Sequence, residues 1–357
     1  MDNKDLLKVK SEIVCWGIRL DPTSEKLFLK QNPHLDNRTG NAGLGFKLGH
    51  LIINAQFGHN FTKKSPYTIK NIDGKWFVCK EDQQYEIIPN KAPNWYLEKT
   101  SKGTPLTKLI IEEGNNMLVS NVYDTCCYFS KKEQCKFCGI NKSHHFVKKD
   151  PKDLAEAISI AVKEKNYGIL WTGGNTYTPD RGALNYLEPI KELRKLVNNP
   201  VICEMAPPED NKYLDILLKA GVNNFDFNIE IWNDNLRKQI CPGKSNISKS
   251  RYFEVWKHCL EKIGNSSMET ALIAGLEPLE SVKQSIEELT SKGVIPTAIP
   301  FHPNDDSTFS NKPPCDPKIL REISLLISKA IKKYGLQPKK HLSCLSCGAC
   351  TIEVDMV

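Results

Sequence analysis

No apolar run in the chain approaches the roughly 18 residues needed to cross a bilayer. The start, Met1-Asp2-Asn3-Lys4-Asp5, lacks the basic-then-apolar layout of a secretory leader. A membrane or exported protein is therefore not expected; the cytoplasm is. Basic residues interleaved with aromatics are also missing, which makes nucleic acid a poor expectation. No internal repeat or low-complexity tract stands out. Hydrophobic residues at 40% against 25% charged give a globular balance, with enough apolar side chain to bury a sizeable core.

Cysteine, by contrast, is abundant. Thirteen cysteines in a chain without a leader have no oxidising compartment in which to build a disulfide framework, so metal or redox chemistry is their expected use. One tight group is Cys135 and Cys138, with Cys126 or Cys127 before them; the other is Cys344, Cys347 and Cys350. Isolated Cys15, Cys79, Cys203, Cys241 and Cys259 read as packed thiols, since a lone cysteine behaves as a small buried hydrophobe.

Lys plus Arg number 49 against 42 acids, a net charge of +7. Lys131, Lys132, Lys136, Lys142, Lys148 and Lys149 crowd the first cysteine group, with His144 and His145. They form either a solvated lysine-rich surface or a docking face for an acidic partner, such as a flavodoxin, a ferredoxin or an acidic carrier protein.

A length of 357 residues suits one βα barrel with an added module. From about residue 110, short apolar runs alternate with helical periods, the pattern of a parallel sheet built from βα units. Strands are expected at Met117–Val122, Gly168–Trp171, Pro200–Glu204, Asn223–Ile231, Met268–Ala274 and Val294–Phe301. Asp150 and Pro151 open the first connecting helix, with Leu154, Ala157, Ile158, Ala161 and Val162 on one face. Further helices are expected around 184–197, 210–220, 250–263 and 279–291, and a last one at 317–334 closes one side. The fold class is thus α/β: a partial (β/α)6 TIM-type barrel at 111–335, an N-terminal α+β extension at 1–110 and a cysteine-rich tail at 336–357. The extension is Gly-rich around Gly40–Gly49, with short strands near Leu51–Phe57 and Trp76–Cys79.

The segment Asp124-Thr125-Cys126-Cys127-Tyr128 through Cys135-Lys136-Phe137-Cys138 resembles the cysteine loop of the radical S-adenosylmethionine (SAM) superfamily. Three thiolates from one loop leave one iron of a [4Fe–4S] cube open for a small molecule. Cys135, Phe137 and Cys138 match the end of the usual C-x3-C-x2-C motif; the first interval is longer, eight residues from Cys126 or seven from Cys127. Cys126 is favoured because Asp124-Thr125-Cys126 runs straight off the strand. A zinc site is the alternative use of a C-x2-C pair.

The resemblance extends along the later strand ends. Gly173-Gly174-Asn175 stands at the family's GGE-like position, with Asn175 replacing the glutamate; Glu204, Asn228 and Glu230 stand where the family holds the SAM ribose and amine; Gly275, in Ala274-Gly275-Leu276-Glu277, resembles the glycine motif near adenine. The resemblance implies a SAM enzyme that makes a 5′-deoxyadenosyl radical and abstracts a substrate hydrogen. Arg181, Lys244 and His302 are candidate substrate contacts at the barrel mouth, and a surface salt bridge or cap is the ordinary role for each.

The tail, with Cys344, Cys347 and Cys350 in C-x2-C-x2-C spacing, matches the first three ligands of a ferredoxin-type run. An auxiliary [4Fe–4S] cluster is expected, its fourth ligand being Ser343, Ser346, Cys315, substrate or nothing; zinc with His341 is the alternative. A barrel with such a cluster is similar to the biotin synthase and lipoyl synthase branch, which implies sulfur insertion, on an octanoyl carrier protein for example. The other outcomes are radical oxidation or methylation of a small molecule or peptide, with a second radical SAM subunit as a further partner. A non-catalytic metal-binding protein is the alternative from another class.

Overall fold

The computed structural model describes residues 3–31, 43–114, 116–140, 148–264, 268–338 and 344–356. Its N-terminal part opens with helix α1 (Asn3–Trp16), strand β1 (Arg19–Leu20) and helix α2 (Pro22–Gln31). Strands β2 (Leu44–Leu48), β3 (Leu51–Ala55), β4 (Thr68–Ile72), β5 (Lys75–Lys80) and β6 (Gln83–Pro89) follow. With β1 they form a six-stranded sheet in the order β1-β4-β5-β6-β2-β3. Alternation drives this sheet: Leu44, Phe46 and Leu48 turn inward on β2 while Lys47 faces out.

A short strand β7 (Ile111–Glu113) then pairs antiparallel with β8 (Met117–Tyr123). From β8 the chain alternates strand and helix: α3 (Pro151–Ala161), β9 (Gly168–Gly173), α4 (Leu187–Arg194), β10 (Val201–Glu204), α5 (Lys212–Ala220) and β11 (Asn224–Asp226). Next come α6 (Asp234–Ile240), α7 (Lys249–Ile263), β12 (Met268–Ala274), α8 (Leu279–Ser291), β13 (Val294–Pro300), α9 (Pro317–Tyr334) and the short α10 (Cys344–Cys347). Strands β8 to β13 are parallel and lie in chain order, with β7 at one edge. This is a curled half-barrel with six βα units.

Local chemistry explains most boundaries. The Asp150 side chain accepts hydrogen bonds from the Lys152 and Asp153 amides, and Pro151 occupies the first turn of α3, where no amide hydrogen is needed. Helix α9 buries Leu320, Ile323, Ile327 and Ile331 along one stripe. On β9 and β10, Ile169, Trp171, Val201 and Cys203 join the layer shared with the helices, whereas Leu170 and Ile202 pack with Met117 inside the barrel.

One expected strand is shorter than the apolar run suggested. Asn223–Ile231 becomes Asn224–Asp226, because side chains take over the ladder: the Ala271 amide donates to Asn228 Oδ1 (2.8 Å) and the Ile229 amide to Thr270 Oγ1 (3.0 Å). Pairing resumes at an isolated bridge between Glu230 and Leu272.

The tail folds back onto both parts. The Ala298 amide of β13 donates to Glu353 Oε1 (2.7 Å), Lys10 Nζ of α1 donates to the Gly348 carbonyl (2.6 Å), and the Asn54 amide of β3 donates to the Ala349 carbonyl (2.9 Å). No helix among the described residues is long and apolar enough to cross a membrane.

Candidate active site at the strand ends

β8 delivers the cysteine loop. Asp124 and Thr125 extend it, and a single 3-10 turn over Cys127–Phe129 changes the chain direction. The Cys127 amide donates to the Asn175 carbonyl (2.8 Å), tying this turn to the end of β9. The result is a cavity of about 150 Å³ lined by Cys126, Cys135 and Cys138 together with Gly173, Gly174 and Asn175. Cys127 does not line it.

Glycine is required at the β9 end. A Cβ on Gly174 would stand 2.0 Å from the Thr125 carbonyl oxygen and 2.7 Å from Cys126 Cα, so only glycine lets this turn approach the cysteine loop so closely. Gly243, which precedes Lys244, packs on the Tyr128 ring, where a Cβ would meet Cδ1 at 2.3 Å.

Burial pushes all three thiols above their usual range. Cys138 is raised to about 12 by burial and by the neighbouring Cys135 and Cys126; Cys126 is raised by burial; Cys135 is raised first by its hydrogen bond with Cys241 and then by burial. A metal binding here must displace these protons. Such soft donors converging on a glycine-lined cavity fit a [4Fe–4S] cluster with one open iron.

The far wall is acidic. Glu204 closes β10, its carboxyl pushed up by burial while Asn228 hydrogen-bonds to it. Glu230 has a left-handed backbone (φ +66°), a costly conformation for a side chain with a Cβ. Its Oε1 accepts from Lys244 Nζ (2.9 Å), and its buried Oε2 has no hydrogen-bond partner among the described residues. Glu230, Cys135 and Cys241 bring ligand atoms within 4.8 Å of one another. Cys241, expected to be an inert packed thiol, is buried as expected but lies against a cluster-loop cysteine.

Phe137, Cys138, Ile140, Thr172, Glu204 and Glu230 also line a second chamber of about 380 Å³. Its other walls include His59 from the N-terminal part, Leu109–Ile111 before and in β7, Glu113, and Lys149. Volumes of roughly 300–1,000 Å³ are usual for small-molecule sites. Lys149, counted among the surface lysines in the sequence, is only 7% exposed and points inward.

Of the three candidate substrate contacts, only Lys244 lines the cavity. Arg181 donates to the Pro207 carbonyl (2.5 Å) and pairs with Glu209. His302 Nε2 hydrogen-bonds the Val14 carbonyl (2.6 Å), and its ring stacks on Phe61. Both link chain segments and lie outside the two cavities. Gly275 (φ +95°) backs onto Cys315, whose thiol hydrogen-bonds Cys15, and is likewise outside both linings.

In the tail, Cys347 packs on Met117, Leu170 and Ile202 inside the barrel, its sulfur against Gly114. Cys350 is 3.6 Å from Asn54 Nδ2 and 3.9 Å from Glu113 Oε1. His341 and Ser343, the side chains of Cys344 and Ser346, and Lys142, His144 and His145 lie outside the described residues.

Residues 122–298 match the family model of the Radical SAM superfamily. The chain is 24% identical over 313 residues to bacteriochlorophyllide c C-7(1)-hydroxylase of Chlorobaculum limnaeum, covering 80% of this chain and 78% of that protein. The crystal structure of methylornithine synthase superposes with a TM-score of 0.50 at 12% identity, covering 70% of each chain, a likeness of fold alone. The match runs from the end of β8 into β13, so the part of the chain similar to the radical SAM superfamily contains the cysteine loop and the glycine turn that cradles it.

Proposed function

We propose that Cys126, Cys135 and Cys138 hold a [4Fe–4S] cluster, that SAM binds between it and the wall formed by Gly173, Gly174, Glu204, Asn228 and Glu230, and that the adjoining chamber takes the substrate. When bound, that cluster and SAM supply a 5′-deoxyadenosyl radical able to remove a hydrogen atom from carbon. The observation that carries this reading is three thiols on one cavity, beside a turn that only glycine at position 174 lets approach the cysteine loop.

The chain's own residues bind, orient and shield. Lys244 pairs with Glu230 and fixes its carboxylate, leaving Oε2 to accept a hydrogen bond from an ammonium or hydroxyl. Phe137 and Ile140 border both cavities and exclude water from the passage between them. Lys131 and Lys132 are exposed beside the cluster loop, a suitable face for an acidic electron donor of the flavodoxin or ferredoxin kind.

For the outcome at the substrate, oxidation of a C–H bond is favoured, supported by the relative named as a hydroxylase over most of both chains. Sulfur insertion is the second reading. It rests on Cys347 and Cys350, which would contribute to an auxiliary centre beside Glu113, a residue that also lines the chamber. In this reading residues 1–110 roof the chamber, 111–335 perform the chemistry and 336–357 carry the auxiliary centre.

The test is anaerobic reconstitution with iron and sulfide, then dithionite and SAM. Release of 5′-deoxyadenosine supports the reading, and fully loaded protein that never cleaves SAM contradicts it. Product labelled from H2(18)O marks oxidation; product carrying sulfide sulfur marks insertion.

A further inference from the structure

A lysine ammonium has three N–H donors. Lys149 uses two of them on neutral oxygens, the Leu109 carbonyl (2.8 Å) and Ser120 Oγ (2.9 Å). Ser120 Oγ itself donates to the same Leu109 carbonyl (2.7 Å), so these acceptors form a closed local set. Lys149 forms no ion pair among the described residues, although it is 7% exposed and lines the larger chamber. Burial lowers its pKa to about 8, an effect that Asp124 only partly offsets through space.

A buried cation without a counter-ion is costly unless something completes it. Of the chamber's four acids, Glu230 is engaged by Lys244, Glu113 by Asn54 (3.3 Å) and Glu204 by Asn228, while Asp306 is exposed and forms no ion pair with Lys149. No acid among the described residues pairs with Lys149, which leaves its third N–H to an anion supplied by a ligand. Leu109, Ile110, Val119 and Phe137 give the same chamber an apolar wall, which suits a ligand with one charged end and a hydrocarbon body. Three glutamates and Asp306 on the lining disfavour a dianion such as phosphate.

We propose that Lys149 is the substrate-anchoring cation of the chamber and that the substrate is a small monocarboxylate, its carboxylate accepting the third Lys149 N–H while its apolar part lies toward the cluster cavity. The proposal rests on the SAM-cleaving reading for its site, and it fails separately from that reading. A carboxylate on this anchor would hold the carbon to be activated at a set distance from the cluster loop, so chain length as well as charge would select substrates.

The test uses SAM-loaded, reconstituted protein and straight-chain carboxylates from acetate to octanoate, each against its own amide, with binding read by calorimetry. The parent is expected to prefer at least one acid over its amide by 10-fold or more. Lys149→Met should remove that preference and Lys149→Arg should keep most of it, while the change SAM makes in the EPR spectrum of the reduced cluster persists in both. Acids and amides binding alike in the parent, or a preference that survives Lys149→Met, overturns the proposal. Loss of the SAM-induced spectral change in Lys149→Met, with Lys149→Arg restoring it, assigns the anion to SAM's own carboxylate and overturns it as well. Release of 5′-deoxyadenosine in the same samples reports on the SAM-cleaving reading independently.

Discussion

The chain has two cysteine groups with C-x2-C spacing, and the fold treats them differently. In the cluster loop, three thiols turn onto one cavity, and the glycine at the end of β9 makes room for the backbone of Thr125 and Cys126. In the tail, Cys347 lies on an apolar layer inside the barrel, while Cys350 meets the polar groups Asn54 and Glu113. Spacing alone therefore states that thiols can reach one another; whether they converge is decided by strands far away in sequence.

The largest expected effect divides the first group itself. Cys126→Ala, Cys135→Ala and Cys138→Ala should each lower 5′-deoxyadenosine release by at least ~100-fold, as loss of a direct metal ligand exceeds the ~10–100-fold cost of losing an outer-shell partner. Cys127→Ala should stay close to the parent. The second comparison is between groups. In the sulfur-insertion reading, Cys347→Ala and Cys350→Ala should halve an iron content of about eight per chain, two four-iron clusters, yet leave substrate-free SAM cleavage intact. An unchanged iron content would remove the auxiliary centre and with it the support for sulfur insertion.

Glycine substitutions sharpen the contrast. Gly174→Ala drives a methyl into backbone and should cost ~1–3 kcal/mol through overpacking, with loss of iron from the first site. Gly114→Ala would place Cβ 2.1 Å from Cys347 Sγ at a φ of +62°; the thiol can move aside, so this change should disturb the tail and add backbone strain just after β7 while leaving iron at the first site. Differential scanning calorimetry and iron counts check both.

The smallest effect concerns the tail anchor. Burial holds the Glu353 carboxyl above its ordinary range. A carboxyl whose folded pKa exceeds its unfolded one gives its full contribution below the unfolded pKa and loses it as pH rises through the folded value. Glu353→Gln has no such dependence, so its melting temperature relative to the parent should be more favourable at pH 8 than at pH 5. The opposite trend would mean that the carboxylate is held ionised.

Much of this was legible in the sequence for local reasons. The Asp150-Pro151 cap, the apolar stripe of α9 and the runs that form β8 to β13 depend on near neighbours, and all but β11, which is cut short at Asp226, appear where the pattern placed them. The position of Cys126 at the strand end was readable too. What was not readable depends on contacts across the chain. The short helix α6, opened by Asn233, has too few apolar residues to show a period. Lys149 belongs to a lysine-rich segment, and only the strand beside it turns it inward. His302 stands at a strand end, but α1 claims it. Cys241 is an isolated thiol in sequence, more than a hundred residues from the Cys135 it touches.

The most direct test is to reconstitute Cys126→Ala and Cys127→Ala side by side without oxygen, add dithionite and SAM, and quantify 5′-deoxyadenosine with bound iron. The account predicts that Cys127→Ala cleaves SAM like the parent, while Cys126→Ala does not and lacks the first cluster. Cleavage by Cys126→Ala with loss in Cys127→Ala, or cleavage by neither variant nor the fully loaded parent, would contradict it.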